Sequence, residues 1–197
     1  MFELEAFIEA CRSALREKNP HAAVREIVAQ AVSQPQELLR SLGEPKLSGI
    51  QSLYCAQTLT ILNVLWGPGM SLYPHDHRMW AVIGIYSGRE DNAFYRRSES
   101  GLIVQGGKTL GLKETIPLGE AVIHSVSNPL DQITAAIHVY GGDFFAVPRS
   151  EWDPLTFEER PYDIEHAREV FERANKRIAS TELSSIERLM KQSPVRS

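Results

Sequence analysis

Three histidines in the middle of this 197-residue chain have the types and spacing of metal ligands. His75 and His77 stand in Pro74-His75-Asp76-His77, and His124 in Ile123-His124-Ser125-Val126-Ser127-Asn128. On an extended strand, residues two apart point to one face, so His75 and His77 can aim two imidazoles at a common point while Asp76 turns away. A third ligand must then come from another strand. His124 follows a turn and opens a run of small and polar residues, which makes it the candidate to close three nitrogens around one face of a cation. A His-x-His pair alone is often a surface feature. Three imidazoles converging in an apolar interior, however, would each need a partner, because a buried unsatisfied polar group costs roughly 1–3 kcal/mol. A bound cation removes that cost. His138 and Tyr140 also stand two apart, so both can face one cavity, although the same spacing fits a packed aromatic pair. His21 and His166 fall in helical patterns outside this group.

Strands must position these side chains. From about Leu47 to Val147 the chain breaks into short β-like runs at Thr58 to Leu65, Trp80 to Tyr86, Asn92 to Arg96, Ile103 to Gln105, Ala121 to Ile123 and Gln132 to Tyr140. Turn signals fall between them at Gly67-Pro68-Gly69, Ser87-Gly88, Gly106-Gly107, Pro117-Leu118-Gly119 and Asn128-Pro129, as a meander or jelly-roll barrel requires. Before this segment, Phe2 to Arg40 carries apolar residues at helical spacing and predicts two or three short helices. Asn19 is the N-cap and Pro20 the first residue of one of them. After Trp152-Asp153-Pro154 the helical period returns with Ile164, Ala167, Val170, Phe171 and Ala174 on one face. A second, marginal helix is predicted from Thr181, and a frayed tail from Gln192 to Ser197. The predicted organisation is one mostly-β domain over 1–197, with N-terminal helices in 1–46, a barrel carrying the histidines in 47–150, and C-terminal helices and tail in 151–197.

Composition narrows the partners. With 25 acidic and 21 basic side chains the net charge is −4, and no basic stripe appears, which argues against nucleic acid or an anionic membrane. Cys11 and Cys55 form no C-x-x-C pair and no disulfide framework. No apolar run approaches the roughly 18 residues of a membrane helix, and the first residues lack a signal-peptide pattern, so a cytoplasmic location is expected. The run Gly106-Gly107-Lys108-Thr109 suggests a phosphate loop, but Leu102 stands where the earlier glycine is required and no strand-to-helix pattern follows. Trp80, Tyr86, Glu90, Asp91, Phe94 and Tyr95 could shape a pocket, but strand aromatics are commonly core residues and none of the six is given a role.

The histidine motifs resemble those of the cupin superfamily, whose barrel is a double-stranded β-helix. Gly69, five residues, then His75-Asp76-His77 matches the first cupin motif, and Pro117-Leu118-Gly119, His124 and Asn128 echo the second with a gap two residues longer. The usual glutamate ligand is missing, since its positions hold Ala81 and Val82. That departure, together with the run from His75 to Gly84 and the segments around His124 and His138, is similar to the thiol dioxygenases, above all bacterial 3-mercaptopropionate dioxygenases, over roughly residues 50 to 150.

The resemblance implies an iron(II) enzyme that takes a small thiol and dioxygen to a sulfinate. His75, His77 and His124 would hold the metal, and His138 with Tyr140 would orient substrate and oxygen. Three neutral imidazoles leave the 2+ charge and open positions on the ion for a thiolate and dioxygen. Iron is expected because zinc has no accessible redox change. Three features depart from the family pattern. Ala136 replaces the serine that begins the His–Tyr chain, Ala81 or Val82 replaces the crosslinking cysteine, and no Arg or Lys lies between Lys46 and Arg78 to clamp a carboxylate. Arg149, nine residues past Tyr140, could instead pair with an acidic substrate or form a surface salt bridge. Cys55 and Gln57 occupy the strand region of the missing clamp. The same three histidines could host zinc, manganese or nickel in an isomerase or hydrolase, or serve a non-enzymatic ligand-binding cupin.

Overall fold

The computed structural model describes residues 1–99 and 101–192. Three helices open the chain, α1 (Leu4–Ala14), α2 (Pro20–Val32) and α3 (Pro35–Leu42). The Asn19 side chain caps α2 by accepting from the Ala22 amide at 3.2 Å, with Pro20 at its first turn where no amide is missed. Eleven strands follow: β1 (Gly49–Ala56), β2 (Leu59–Trp66), β3 (Ser71–Asp76), β4 (Ala81–Ser87), β5 (Glu90–Ser98), β6 (Gly101–Leu110), β7 (Thr115–Leu118), β8 (Ile123–Ser127), β9 (Thr134–Tyr140), β10 (Ser150–Trp152) and β11 (Glu159–Pro161). A single helix, α4 (Ile164–Gln192), closes the described chain.

The strands form two antiparallel sheets, in the orders β1-β2-β9-β4-β7 and β11-β10-β3-β8-β5-β6. The eight strands β2 to β9 divide between them as 2-9-4-7 and 3-8-5-6, the strand order of a jelly roll, so the expected double-stranded β-helix is present.

Burial explains the strand patterns. One core fills the barrel between the sheets, with Leu62, Val64 and Trp66 of β2 meeting Leu72 of β3, Val126 of β8 and Phe171 of α4. A second core packs Phe7, Cys11, Val24, Val28 and Leu38 of the helices onto Ile61, Val82, Ile137 and Val139 on the outer face of the first sheet. Strands β2 and β9 are therefore covered on both faces and buried throughout, which is why they read as continuous apolar runs. The Cys11 thiol, in that second core, is pushed up to about 12 by burial.

Several predicted boundaries change. Gly106-Gly107 is not a turn but lies inside β6, opposite a bulge between Phe94 and Tyr95. Ala121 belongs to the turn before β8, and Pro117-Leu118 to β7, an edge strand where a proline costs no ladder bond. The sheets run past residue 150 through β10 and β11, so the C-terminal segment is not wholly helical. No new helix begins at Thr181. The Ser180 and Thr181 hydroxyls donate to the carbonyls of Lys176 and Arg177, at 2.8 and 3.0 Å, and α4 passes straight through. The predicted tail beyond Gln192 lies outside the described residues.

Helix α4 buries Ala167, Val170, Phe171 and Ala174 as its apolar face predicts, and Asn175 bonds both the backbone and the side chain of Ser48. Among the described residues no helix is long and apolar enough to cross a membrane. The helix α2 also depends on one glycine. A Cβ at Gly84 of β4 would come within 2.6 Å of Val28 and 2.9 Å of Val32. Gly84→Ala should therefore destabilise the fold by about 1–3 kcal/mol, the usual penalty of overpacking, measured by urea denaturation. An unchanged midpoint would show that α2 can move away freely.

Candidate metal centre

The register of β3 and β8 brings the histidines together. His75 sits directly opposite His124 across the ladder, and Phe94 of β5 faces His124 from the other side. His77 follows the last residue of β3. Arg78 then takes a left-handed φ of 56°, which turns the chain. Asp76 points the other way, as alternation predicts, and its carboxylate accepts from the Ser150 amide at 2.8 Å and from Arg78 Nε at 2.7 Å.

The three imidazoles are buried and present Nε2 atoms to one another. His77 Nε2 lies 3.2 Å from His75 Nε2 and 3.3 Å from His124 Nε2, and the three ligand atoms fall within 4.8 Å of each other. An ion bonded to imidazole nitrogens at about 2.0–2.2 Å holds neighbouring donors about 3.0–3.5 Å apart, so this spacing fits a shared cation. The far side of each of two rings is held by an acceptor. His75 Nδ1 donates to the Tyr73 carbonyl at 3.0 Å and His124 Nδ1 to Asn92 Oδ1 at 2.7 Å, which leaves both Nε2 lone pairs free. Burial lowers the His75 pKa to about 4, and burial with neighbouring positive charge holds His77 and His124 well below the ordinary imidazole value. Neutral rings are what metal ligation requires.

His138 and Tyr140 both face the barrel interior on β9, with His138 Nδ1 3.0 Å from the Tyr140 hydroxyl. The Tyr140 ring centroid is 5.0 Å from that of His77, so the pair adjoins the cluster. Arg149 is not a surface residue. It is 8% exposed, its guanidinium lies 4.1 Å from the Phe144 ring centroid and 4.0 Å from that of Tyr162, and Nη1 donates to the Phe144 carbonyl. The same two rings flank the histidines, with Phe144 6.2 Å from His77 and Tyr162 6.0 Å from His75. Among the described residues no carboxylate lies within ion-pair distance of Arg149, and its Nε has no partner.

Other residues noted in the sequence are placed away from the cluster. Cys55 is exposed beside Thr60 and Asp143, and Gln57 occupies the β1–β2 turn. Tyr86 donates to Asn63 in the outer core, Asp91 pairs with Arg89, Tyr95 bonds Ser125, and Trp80 stacks on His21, whose Nε2 donates to the Ala81 carbonyl at 3.0 Å. Asn128 is a clamp. Its amide nitrogen reaches the carbonyls of Trp66, Gly67 and Gln132, and its oxygen accepts from Leu130 and Thr134.

Sequence reasoning named Glu90 without a role and missed Asn92 and Trp66. Glu90 is fully buried, accepts from Trp66 Nε1 at 2.8 Å and Asn92 Nδ2 at 2.9 Å, and stands 3.6 Å from His138 Nε2. The signal was available, since Glu90, Asn92 and Phe94 alternate along β5 and turn two polar groups inward.

No protein-family model matches the chain. Solved structures with a similar fold include an RmlC-like cupin from Methanocaldococcus jannaschii, 12% identical, covering 52% of this chain and 87% of that one at a TM-score of 0.44. An oxalate oxidase in complex with glycolate is 14% identical and matches 51% of this chain and 53% of its own length, with a TM-score of 0.40. An oxalate decarboxylase from Lactobacillus farciminis, in a formate complex, is 13% identical over 51% of this chain and 30% of that one, with a TM-score of 0.42.

Two measurements test the centre. His75→Ala, His77→Ala and His124→Ala should each abolish stoichiometric binding of a divalent transition metal in calorimetry, and full occupancy in all three would refute the ligand set. In the metal-free protein the unfolded chain takes up protons at these histidines before the folded chain does, so acid favours unfolding. For His75, lowered from 6.5 to about 4, stability is lost as pH falls from about 7 to 4, by on the order of 3 kcal/mol. Urea denaturation across that range should show the decline, and a flat profile would contradict it.

Proposed function

We propose that this protein is an iron(II)-dependent thiol dioxygenase that joins both atoms of dioxygen to the sulfur of a small, carboxylate-bearing thiol, yielding a sulfinate. The observation that carries the reading is Arg149, a buried guanidinium with no carboxylate partner, held by the same two aromatic rings that flank the histidine cluster. A buried charge without a partner is costly, and an anionic substrate supplies the missing partner only when bound. His75, His77 and His124 would hold the ion, and their neutrality leaves its full charge for a thiolate. When bound, iron(II) would supply Lewis acidity toward a thiolate and a redox change suited to dioxygen.

The remaining steps belong to the protein. Arg149 pairs with the substrate carboxylate and fixes the direction from which the sulfur approaches the cluster, which converts binding energy into orientation. Tyr140, hydrogen-bonded to His138, presents its phenol oxygen beside His77 and helps orient the reacting groups. Phe144, Tyr162 and Trp66 wall this space with apolar surface and limit water. A cation on β1 or β2 plays no part in the reading, because neither strand carries a Lys or Arg.

Oxygen uptake by anaerobically iron(II)-loaded protein, against 3-mercaptopropionate, cysteine and cysteamine, tests the proposal. Thiol-dependent uptake matched by sulfinate, and absent in His124→Ala, is expected. Arg149→Ala should raise KM at least tenfold for thiols carrying a carboxylate and leave cysteamine unaffected. Tyr140→Phe should keep iron bound and lower kcat. No thiol-dependent uptake from a site verified to hold iron would end this reading.

A further inference from the structure

We propose that Glu90 is a positioning residue that sets where the protons sit on His138 and His124. Only the use made of those protons rests on the thiol dioxygenase reading. The carboxylate is fully buried at the start of β5, and among the described residues no Lys or Arg lies within ion-pair distance of it. Such a group is expensive to bury, and its two oxygens are divided between two neutral donors. Oε2 accepts from Trp66 Nε1 at 2.8 Å and Oε1 from Asn92 Nδ2 at 2.9 Å.

The first consequence reaches the metal site. With its amide nitrogen committed to Glu90, Asn92 can turn only its carbonyl oxygen to His124, 2.7 Å from Nδ1. A carbonyl oxygen cannot donate, so the His124 proton stays on Nδ1 and the Nε2 lone pair faces the cluster.

The second consequence reaches the phenol. His138 Nε2 is buried without a hydrogen-bond partner, and Glu90 Oε2 stands 3.6 Å from it. That is beyond hydrogen-bond length but well within electrostatic reach at a buried position. With its proton on Nδ1, His138 would turn a lone pair toward the carboxylate. With the proton on Nε2, it turns an N–H dipole toward it, and the carboxylate selects this form. Nδ1 is then the acceptor for the Tyr140 hydroxyl at 3.0 Å, so the phenol proton points at His138 and the oxygen lone pairs are left for the site. Ala136, buried two residues before His138, offers no hydroxyl that could compete.

Only a carboxylate can do this. A glutamine at position 90 has one acceptor oxygen for two donors, so either Trp66 or Asn92 loses its bond, and an amide N–H pointing at His138 would reverse the preferred form.

The test is nitrogen-15 NMR of the metal-free, histidine-labelled protein, with long-range proton correlations that separate the two neutral forms of each ring. His138 should carry its proton on Nε2 and His124 on Nδ1. Glu90→Gln should move the His138 proton wholly or partly to Nδ1 and weaken binding of divalent zinc at least tenfold. Trp66→Phe, which removes one donor but keeps the carboxylate, should leave both rings as in wild type. A proton on Nδ1 of His138 in the wild-type protein would overturn the proposal, as would a Glu90→Gln spectrum identical to wild type. If the glutamine variant does not fold, the wild-type and Trp66→Phe spectra decide alone. No thiol or oxygen enters this experiment, so its failure and a failure of the dioxygenase reading are told apart.

Discussion

The site depends on one ladder register. His75 opposes His124 across β3 and β8, and a slip of one residue would carry either imidazole to the opposite face of its sheet. Much of the barrel serves to hold that pairing. Asp76 ties the end of β3 to Ser150, and Asn128 ties the end of β8 to the turn that feeds β3. Both are buried polar side chains with several partners, Asp76 bonding the Ser150 amide and the Arg78 guanidinium, and Asn128 bonding three carbonyls, the Leu130 amide and Thr134. Register here is fixed by hydrogen-bond matching as well as by the apolar pattern, which suits a strand whose inward residues are polar.

Two unpaired charges of opposite sign lie within the protein. Arg149 is wrapped by aromatic faces, and Glu90 is held by two N–H donors. Neither has a counter-ion among the described residues, and each is placed where it can act on a histidine or tyrosine beside the cluster. A protonated His77 would bear the cost of a buried charge and would be repelled by Arg149. Burial of the ligands and neutrality of the ligands are therefore a single design constraint.

Much of this was legible in the sequence, and the remainder was hidden for identifiable reasons. The His75–His77 spacing and the Asn19-Pro20 helix start depend on local geometry, and both stand as read. Turn spacing left a meander or a jelly roll open, and the resemblance to cupins pointed to the double-stranded β-helix that is present. Strand β7 was hidden because Pro117 resembles a turn residue unless the strand is known to lie at an edge. The break at Thr181 failed because a threonine can cap a helix or bond back four residues within one, and sequence does not distinguish the two. The resemblance to thiol dioxygenases named His138, Tyr140 and Arg149 but said nothing of Glu90. Its importance appears only when β5, β9 and β2 are brought around one carboxylate, a juxtaposition of residues 66, 90 and 138 that no local pattern encodes.

The pairing of β2 with β9 has a kinetic side. Leu62 meets His138 across that ladder, so closing the first sheet joins segments separated by most of the barrel's length. Contacts of such long sequence separation form late and slowly, since the loop between them must be ordered first. On a ribosome, a chain that has exposed only His75 and His77 holds a two-ligand fragment with weak, unselective affinity. The third imidazole, His124, comes only with β8, so the complete three-histidine group exists only once β3 and β8 have paired.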